Sequence, residues 1–310
     1  MKKKIFIDGS SGTTGLRIRE RLALREDISL MILPEENRRD PAARKAAIRE
    51  ADIAFLCLPD DAATEAAGFS EGSDTVIIDT STAHRTSPGW TYGFPELSPA
   101  IGEALKTSKR IAVPGCHAGG FIALVRPLTD AGILDPSAQL SCFSLTGYSG
   151  GGKKMIAEYE SPERDVLLSA PRQYALGQGH KHLKEMRFYS GLDSAPVFCP
   201  VVGDFYSGME VTVPLFGSML DGAGPEDIKR IYRERYTGPV VSYSERFCET
   251  GFLSAASLSG RDSMEISVSG NGDRIILCAL YDNLGKGASG AAIECMNTVM
   301  GADPATGLDL

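Results

Sequence analysis

The sequence has no CxxC pair and an odd number of cysteines: Cys57, Cys116, Cys142, Cys199, Cys248, Cys278 and Cys295, scattered through 310 residues. That usage argues against a disulfide-stapled secreted scaffold and a structural zinc site, and it fits a reducing compartment. No stretch reaches the roughly 18 uncharged apolar residues that span a bilayer, so membrane-spanning readings fall. The opening Met1-Lys2-Lys3-Lys4 carries the charge of an export signal, but the apolar run from Ile5 to Ile7 is broken at once by Asp8 and Gly9. A cytoplasmic protein is expected. Positive charge is also in deficit, 32 Lys and Arg against 40 Asp and Glu, for a net charge of −8. A broad nucleic-acid surface is excluded on that balance, and any anionic substrate must be caught locally. No internal repeat and no low-complexity linker is present.

What is present is the composition of an ordinary globular protein, 43% hydrophobic and 23% charged. At roughly 100 to 200 residues per domain, two domains are the first expectation. Residues 5–8, 30–33, 53–58 and 75–79 read as strands, and 14–25, 41–50 and 60–69 as the helices between them. Such alternation implies right-handed βαβ crossovers and a doubly wound, Rossmann-type parallel sheet, so an α/β first domain. After Cys116 the texture changes. Residues 119–131 read as a long helix, and 197–202, 209–216, 263–269 and 274–281 as longer alternating strands, the last two joined by the hairpin loop Gly270-Asn271-Gly272-Asp273. The second domain is therefore α+β with a mixed or antiparallel sheet. Small residues at helical spacing over 288–299 place a last helix back against the first domain. The expected division is 1–116 with 288–310 and 117–287.

Gly9-Ser10-Ser11-Gly12-Thr13-Thr14-Gly15 lies between the first strand and the first helix. Its glycines permit a tight turn and close approach of a pyrophosphate, whose charge meets free N–H groups at the helix N-terminus. The spacing is GxxGxxG, so its place in the alternating pattern carries the dinucleotide reading. Glu35 and Glu36 after the second strand favour NAD, while Arg38 and Arg39 suit a 2′-phosphate; spacing leaves that choice open. Val113-Pro114-Gly115-Cys116 puts a cysteine at a helix start, where the dipole and unpaired N–H groups stabilise a thiolate. The other six cysteines read as structural. His180 and His182, in Gly179-His180-Lys181-His182, lack companion ligands at metal spacing and suit general acid/base work beside a thiol. His84, in a loop, and His117, expected to project away from its neighbour Cys116, are weaker candidates. Ser81-Thr82-Ala83-His84-Arg85 follows the fourth strand, where doubly wound folds bind ligands, and Arg85 suits bidentate capture of a phosphate or carboxylate. Ser149-Gly150-Gly151-Gly152-Lys153-Lys154 offers a further anion or cofactor contact, or an ordinary turn.

A dinucleotide loop, a helix-initiating cysteine and a downstream histidine are the toolkit of aldehyde dehydrogenases that work through a thioester. The chain resembles the N-acetyl-γ-glutamyl-phosphate reductases of the shorter second type over nearly its whole length. Gly12-Thr13-Thr14-Gly15-Leu16, Cys57-Leu58-Pro59-Asp60-Asp61, Ser81-Thr82-Ala83-His84-Arg85, Gly93-Phe94-Pro95-Glu96-Leu97, Pro114-Gly115-Cys116, Gly147 to Lys154, His180-Lys181-His182 and Asn283 to Gly290 carry the likeness. The resemblance implies reduction of N-acetyl-γ-glutamyl phosphate by NADPH, with NADP(H) as cofactor, to the 5-semialdehyde and phosphate in arginine biosynthesis, by a homodimer or homotetramer. It implies Cys116 as nucleophile, His180 and His182 as acid/base, and Arg85 and Lys153 on the substrate. Gly9, Ser11, Gly12, Thr13, Thr14, Gly15, Arg38, Ser81, Gly150, Gly152 and Asn283 would hold the cofactor. Two departures stand out: Ala118-Gly119-Gly120 where a Thr is expected, and Lys184 where a Pro is expected. The rival readings are a related phosphorylating enzyme such as aspartate-semialdehyde dehydrogenase, and a nonenzymatic dinucleotide-binding redox sensor reporting through Cys116.

Overall fold

In a computed structural model that describes residues 2–245 and 251–310, the chain divides into two compact units, Met1–Gly115 with Ala288–Leu308, and Cys116–Gly287 with Asp309–Leu310. Cys248 lies outside the described residues. The first unit runs β1 (Lys3–Asp8), α1 (Thr13–Leu22), β2 (Ile28–Met31), α2 (Pro41–Glu50), β3 (Ile53–Leu56), α3 (Asp60–Phe69), β4 (Val76–Asp79), β5 (Thr91–Tyr92), α4 (Pro99–Thr107) and β6 (Arg110–Ala112). Its six strands form a parallel sheet in the order β2-β1-β3-β4-β6-β5. The Rossmann-type sheet expected from the sequence is present, with β5 and β6 added; two and three residues are too short to register as a period. The start of α2 follows from Asp40, whose carboxylate accepts from Ala42 N and Ala43 N ahead of Pro41 in the first turn.

Burial on both faces gives β1 and β3 their continuous apolar runs. Ile5 and Ile7 pack with Ile18, Leu22, Phe55 and Ile78 on one face, while Phe6 packs with Ile48, Ala54, Leu56 and Ile77 on the other. The alternation along β1 thus divides two cores, each under its own helix layer.

The second unit holds α5 (Cys116–Asp130), β7 (Ser141–Gly147), α6 (Gly152–Glu160), β8 (Arg172–Gln173), α7 (Leu183–Ser190), β9 (Val197–Gly203), β10 (Met209–Phe216), α8 (Pro225–Arg235), β11 (Val241–Tyr243), β12 (Met264–Gly270) and β13 (Arg274–Tyr281). Its seven strands run β11-β12-β13-β10-β7-β9-β8. The sheet is mixed, with β7 and β9 parallel, as are β11 and β12, and the other pairs antiparallel. The β12–β13 loop closes as the glycines suggest: Gly270 takes φ +104°, and Asn271 Oδ1 accepts from Asp273 N and Arg274 N. Helix α5 starts at Cys116 itself, three residues before the 119 expected. Pro127 within it has no N–H for the Ala123 carbonyl, and the Tyr236 hydroxyl donates there instead at 2.6 Å.

The strand β7 was not legible because its polarity is inverted. Ser144 and Thr146 face inward and Phe143 faces outward. On the same outer face Val197, Pro214, Phe216 and Ile276 are exposed. A π-helical turn, Gly285–Ser289, then leads into α9 (Gly290–Met300), whose Ala291, Ala292, Ile293 and Met296 pack into the core that holds Ile5 and Ile7. Among the described residues no helix is long and apolar enough to cross a membrane.

Candidate active site

In the turn from β1 to α1, a Cβ on Gly9 would lie 2.2 Å from the Cys57 carbonyl oxygen and one on Gly15 2.4 Å from the Gly9 oxygen. Two of the three glycines are therefore forced by backbone approach. Gly12 takes the N-cap place of α1 without a side-chain cap, and Ser11 is exposed. The first-turn N–H groups, at Thr13 and Thr14, are thus left to an external acceptor, the cradle a pyrophosphate requires. Beneath the loop Asp8 is buried, and Arg44 Nε meets it at 3.0 Å while Arg44 Nη1 meets Glu65 at 3.0 Å. Burial raises the Asp8 carboxyl pKa and the Arg44 charge opposes the rise. Arg38 forms an ion pair with Glu35.

At the end of β4, the buried Asp79 carboxylate gathers the strand's exit. It accepts from Ser81 N at 2.9 Å and Ser81 Oγ at 2.7 Å, and its Oδ2 lies 2.6 Å from His84 Nδ1. The His84 ring stacks on Trp90 with centroids 3.9 Å apart. Arg85 is buried as well: Nε donates to the Val113 carbonyl at 2.9 Å and Nη2 to the Thr80 carbonyl at 3.0 Å. Those two bonds fix its guanidinium plane against the segment that leads to Cys116.

In the second unit, Tyr281, at the end of β13, sends its buried hydroxyl into the first turn of α5. It donates to the Cys116 carbonyl and accepts from Gly120 N at 3.2 Å, standing between the pair that an α-helix would bond directly. A Cβ at residue 120 would lie 2.6 Å from that oxygen. Here is the physical reason for Gly120, where the family likeness raised a Thr nearby. Gly287, on the π-helical turn, approaches so closely that a Cβ would stand 3.1 Å from the Cys116 Cβ.

His117 projects away from Cys116, as expected, and turns to the sheet, where it is more than a bystander. Its Nδ1 lies 2.7 Å from Ser144 Oγ and its Nε2 2.7 Å from Tyr174 OH. One residue along a helix rotates a side chain by about 100°, which aims His117 at β7 rather than along the Cys116 direction. The His180 and His182 rings both sit 5.6 Å from it, centroid to centroid, and 4.7 Å from each other, with Phe198 against His117 and His180. Burial, then the His180 charge, push the His117 pKa down to about 3. The backbone N–H of His182 donates to His180 Nδ1 at 3.2 Å, holding a neutral His180 in the Nε2–H form.

The loop that delivers Tyr174 and His180 is held against β9. Tyr174 N donates to the Pro200 carbonyl, and Gln178 pairs with Phe198 through both ends of its amide at 2.8 Å. Ala175 and Gln178 take φ +52° and +54°, strain of about 1–3 kcal/mol each that these bonds offset.

Of the remaining sequence candidates, Asn283 and Gly150 are brought together. Asn283 is buried, its amide spent on Ser149 Oγ and Gly208 N, each at 2.9 Å. Gly150 lies beside that amide, Gly152 takes φ +72°, and Lys153 is exposed on the first turn of α6. Sequence reasoning gave no role to Ser144, Tyr174 or Tyr281, and no local signal marks them: each reaches the start of α5 from a distant strand or loop. Among the described residues no group of three or more His, Cys, Asp or Glu is arranged to hold a metal ion.

Comparison with known proteins adds to this geometry. Residues 116–283 match the semialdehyde dehydrogenase dimerisation domain, and residues 34–104 the semialdehyde dehydrogenase NAD binding domain. The N-acetyl-gamma-glutamyl-phosphate reductase of Brucella ovis is 46% identical over 309 residues, covering 97% of this chain and all of the relative. That of Sinorhizobium medicae is 44% identical over 310 residues with the same coverage. Among solved structures, aspartate semialdehyde dehydrogenase II of Vibrio cholerae complexed with ASA shares 16% identity at a TM-score of 0.73, covering 97% of this chain and 98% of its own. The Candida albicans enzyme with NADP shares 15% at 0.69, covering 97% and 99%. These last likenesses establish the fold alone, whereas identity over the full length decides between the branches. The chain belongs to the N-acetyl-gamma-glutamyl-phosphate reductases, within the semialdehyde dehydrogenase fold family.

Proposed function

We propose that this protein reduces N-acetyl-γ-glutamyl phosphate to N-acetylglutamate 5-semialdehyde, releasing phosphate, with NADPH as reductant and a covalent thioester on Cys116. The observation that carries the reading is a cysteine opening a helix whose first turn is held by Tyr281 and Gly120, beside three packed histidines, in a chain with a glycine cradle for a dinucleotide.

The Cys116 thiolate attacks the acyl carbon, the C–S bond forms, and the C–O bond to phosphate breaks. This route avoids delivering hydride to a poorly electrophilic carboxylate derivative. Backbone N–H groups of the first turn of α5 offset charge on the former carbonyl oxygen. When bound, NADPH supplies the hydride that takes the thioester to the aldehyde level. The C–S bond then breaks and the thiolate returns, with His180 and His182 moving the proton, help of about 10² to 10⁴ in rate. Arg85 and Lys153 are assigned to the phosphoryl group. Gly9, Ser11, Gly12, Thr13, Thr14 and Gly15, with Arg38, Ser81, Gly150, Gly152 and Asn283, are assigned to the cofactor. Arg38 would meet a 2′-phosphate by exchanging its Glu35 partner for it. The domains that serve these roles are 1–116 with 288–310 and 117–287.

A homodimer or homotetramer is supported by the exposed apolar residues on the outer face of the second sheet, an unusual surface for a lone monomer. A cytoplasmic location is supported by the six described cysteines, none of which is in a disulfide. The test is the reverse reaction with phosphate: N-acetylglutamate 5-semialdehyde against aspartate semialdehyde, each with NADP and NAD. Preference for the acetylated substrate with NADP is expected. Equal or greater turnover of aspartate semialdehyde would overturn the substrate assignment.

A further inference from the structure

Ser144, His117 and Tyr174 form a chain of hydrogen bonds whose direction is fixed by what each group donates. Ser144 is fully buried on the inner face of β7, and among the described residues His117 Nδ1 is the only hydrogen-bond partner of its hydroxyl. Were Nδ1 to carry the imidazole proton, the serine proton would be left in the interior without an acceptor, at a cost of about 1–3 kcal/mol. The serine therefore donates to Nδ1. A neutral imidazole carries one proton, so it sits on Nε2 and is donated to the Tyr174 oxygen, 2.7 Å away. Burial keeps His117 neutral, its pKa near 3. The phenol, its oxygen occupied as an acceptor, keeps its own O–H to give elsewhere.

The surroundings of Tyr174 say where. Its ring lies 6.0 Å from that of His180 and 6.2 Å from that of His117, the residue that follows Cys116. Burial first, and then the negative charge of Cys116, raise the Tyr174 pKa, so the phenol stays protonated within the field of that charge. We propose that Tyr174 is a further catalytic residue, whose O–H, turned outward by Ser144 and His117, donates a hydrogen bond to the negative charge borne at Cys116 and at the oxygen of its adduct. The inference rests on the covalent reading above and deepens it: sulfur and oxyanion share a donor contributed by the β8–α7 loop, in addition to the backbone of α5.

The test combines two readouts on Tyr174→Phe, which deletes one oxygen. Loss of a donor to an oxyanion lowers kcat by about 10², and this is expected in the reverse reaction, with little change in the KM for the semialdehyde. The pH midpoint for alkylation of Cys116 by iodoacetamide, followed by peptide mapping without substrate, is expected to rise by about one unit, the shift of one charge-assisted bond. Ser144→Ala is expected to raise the same midpoint by less, and Ser144→Thr, which keeps the hydroxyl, to restore it. An unchanged rate and midpoint in Tyr174→Phe would overturn the role of the phenol. An unshifted midpoint in Ser144→Ala would overturn its orientation by the chain. If Cys116 of the unaltered protein resists alkylation, the covalent reading itself falls. If it reacts and Tyr174→Phe leaves its profile in place, only the present inference falls.

Discussion

Acidification provides a quantitative check on His117. The imidazole is 3% exposed, and its pKa in the folded protein is about 3 against the usual 6.5. Between those values the unfolded chain binds a proton that the folded one refuses, so stability falls as the pH falls. The loss is about 1.4 kcal/mol per pH unit well inside the window, or about 2 kcal/mol between pH 7 and pH 5 from this group alone. Other groups contribute too, so the measurement is a difference. Urea unfolding of the unaltered protein and of His117→Gln, at pH 7 and pH 5 and equal protein concentration, cancels what they share. Glutamine is neutral throughout. The unaltered protein is expected to lose about 2 kcal/mol more than the variant on going from pH 7 to pH 5. Parallel losses in the two proteins would refute a buried neutral imidazole, and with it the fixed proton positions from Ser144 to Tyr174.

Arg85→Ala is expected to raise the phosphate KM in the reverse reaction. A fall in kcat at constant phosphate KM would instead assign the guanidinium wholly to its bonds with Val113 and Thr80. Tyr281→Phe removes the hydroxyl between the Cys116 carbonyl and Gly120 N and is expected to lower kcat at least tenfold, as about 1.4 kcal/mol of positioning would. Full activity would show that the first turn of α5 closes correctly without it.

The parts legible in the sequence are those whose signal is local. The glycine turn could be read because its three glycines recur at fixed spacing within one βα unit, even though the carbonyl that crowds Gly9 belongs to Cys57 after β3, and Cys116 because a helix start is a local feature. In the first sheet the central strands β1, β3 and β4 stood out because burial on both faces makes them apolar runs, and the edge strand β2 as a short apolar segment. In β7 the reverse holds: hydroxyls face the interior, where Ser144 meets His117, and apolar side chains face out, so hydrophobic alternation points the wrong way. Tyr174 and Tyr281 lie 58 and 165 positions from Cys116 along the chain. Their meaning arises only when β13 and the β8–α7 loop converge on α5, a tertiary fact that no spacing rule encodes. The partners of His117 went unread for a similar reason. What they are depends on where the sheet lies, and the strand His117 faces was among those left unread, with β8 and β11.

The most direct test of the covalent mechanism is to mix the protein with N-acetylglutamate 5-semialdehyde and NADP in the absence of phosphate, quench in acid, and map the peptides. The expected result is an N-acetylglutamyl thioester on Cys116, formed with a stoichiometric burst of NADPH, discharged when phosphate is added, and absent in Cys116→Ser. An adduct on another residue, or NADPH formation by Cys116→Ser at the rate of the unaltered protein, would contradict it.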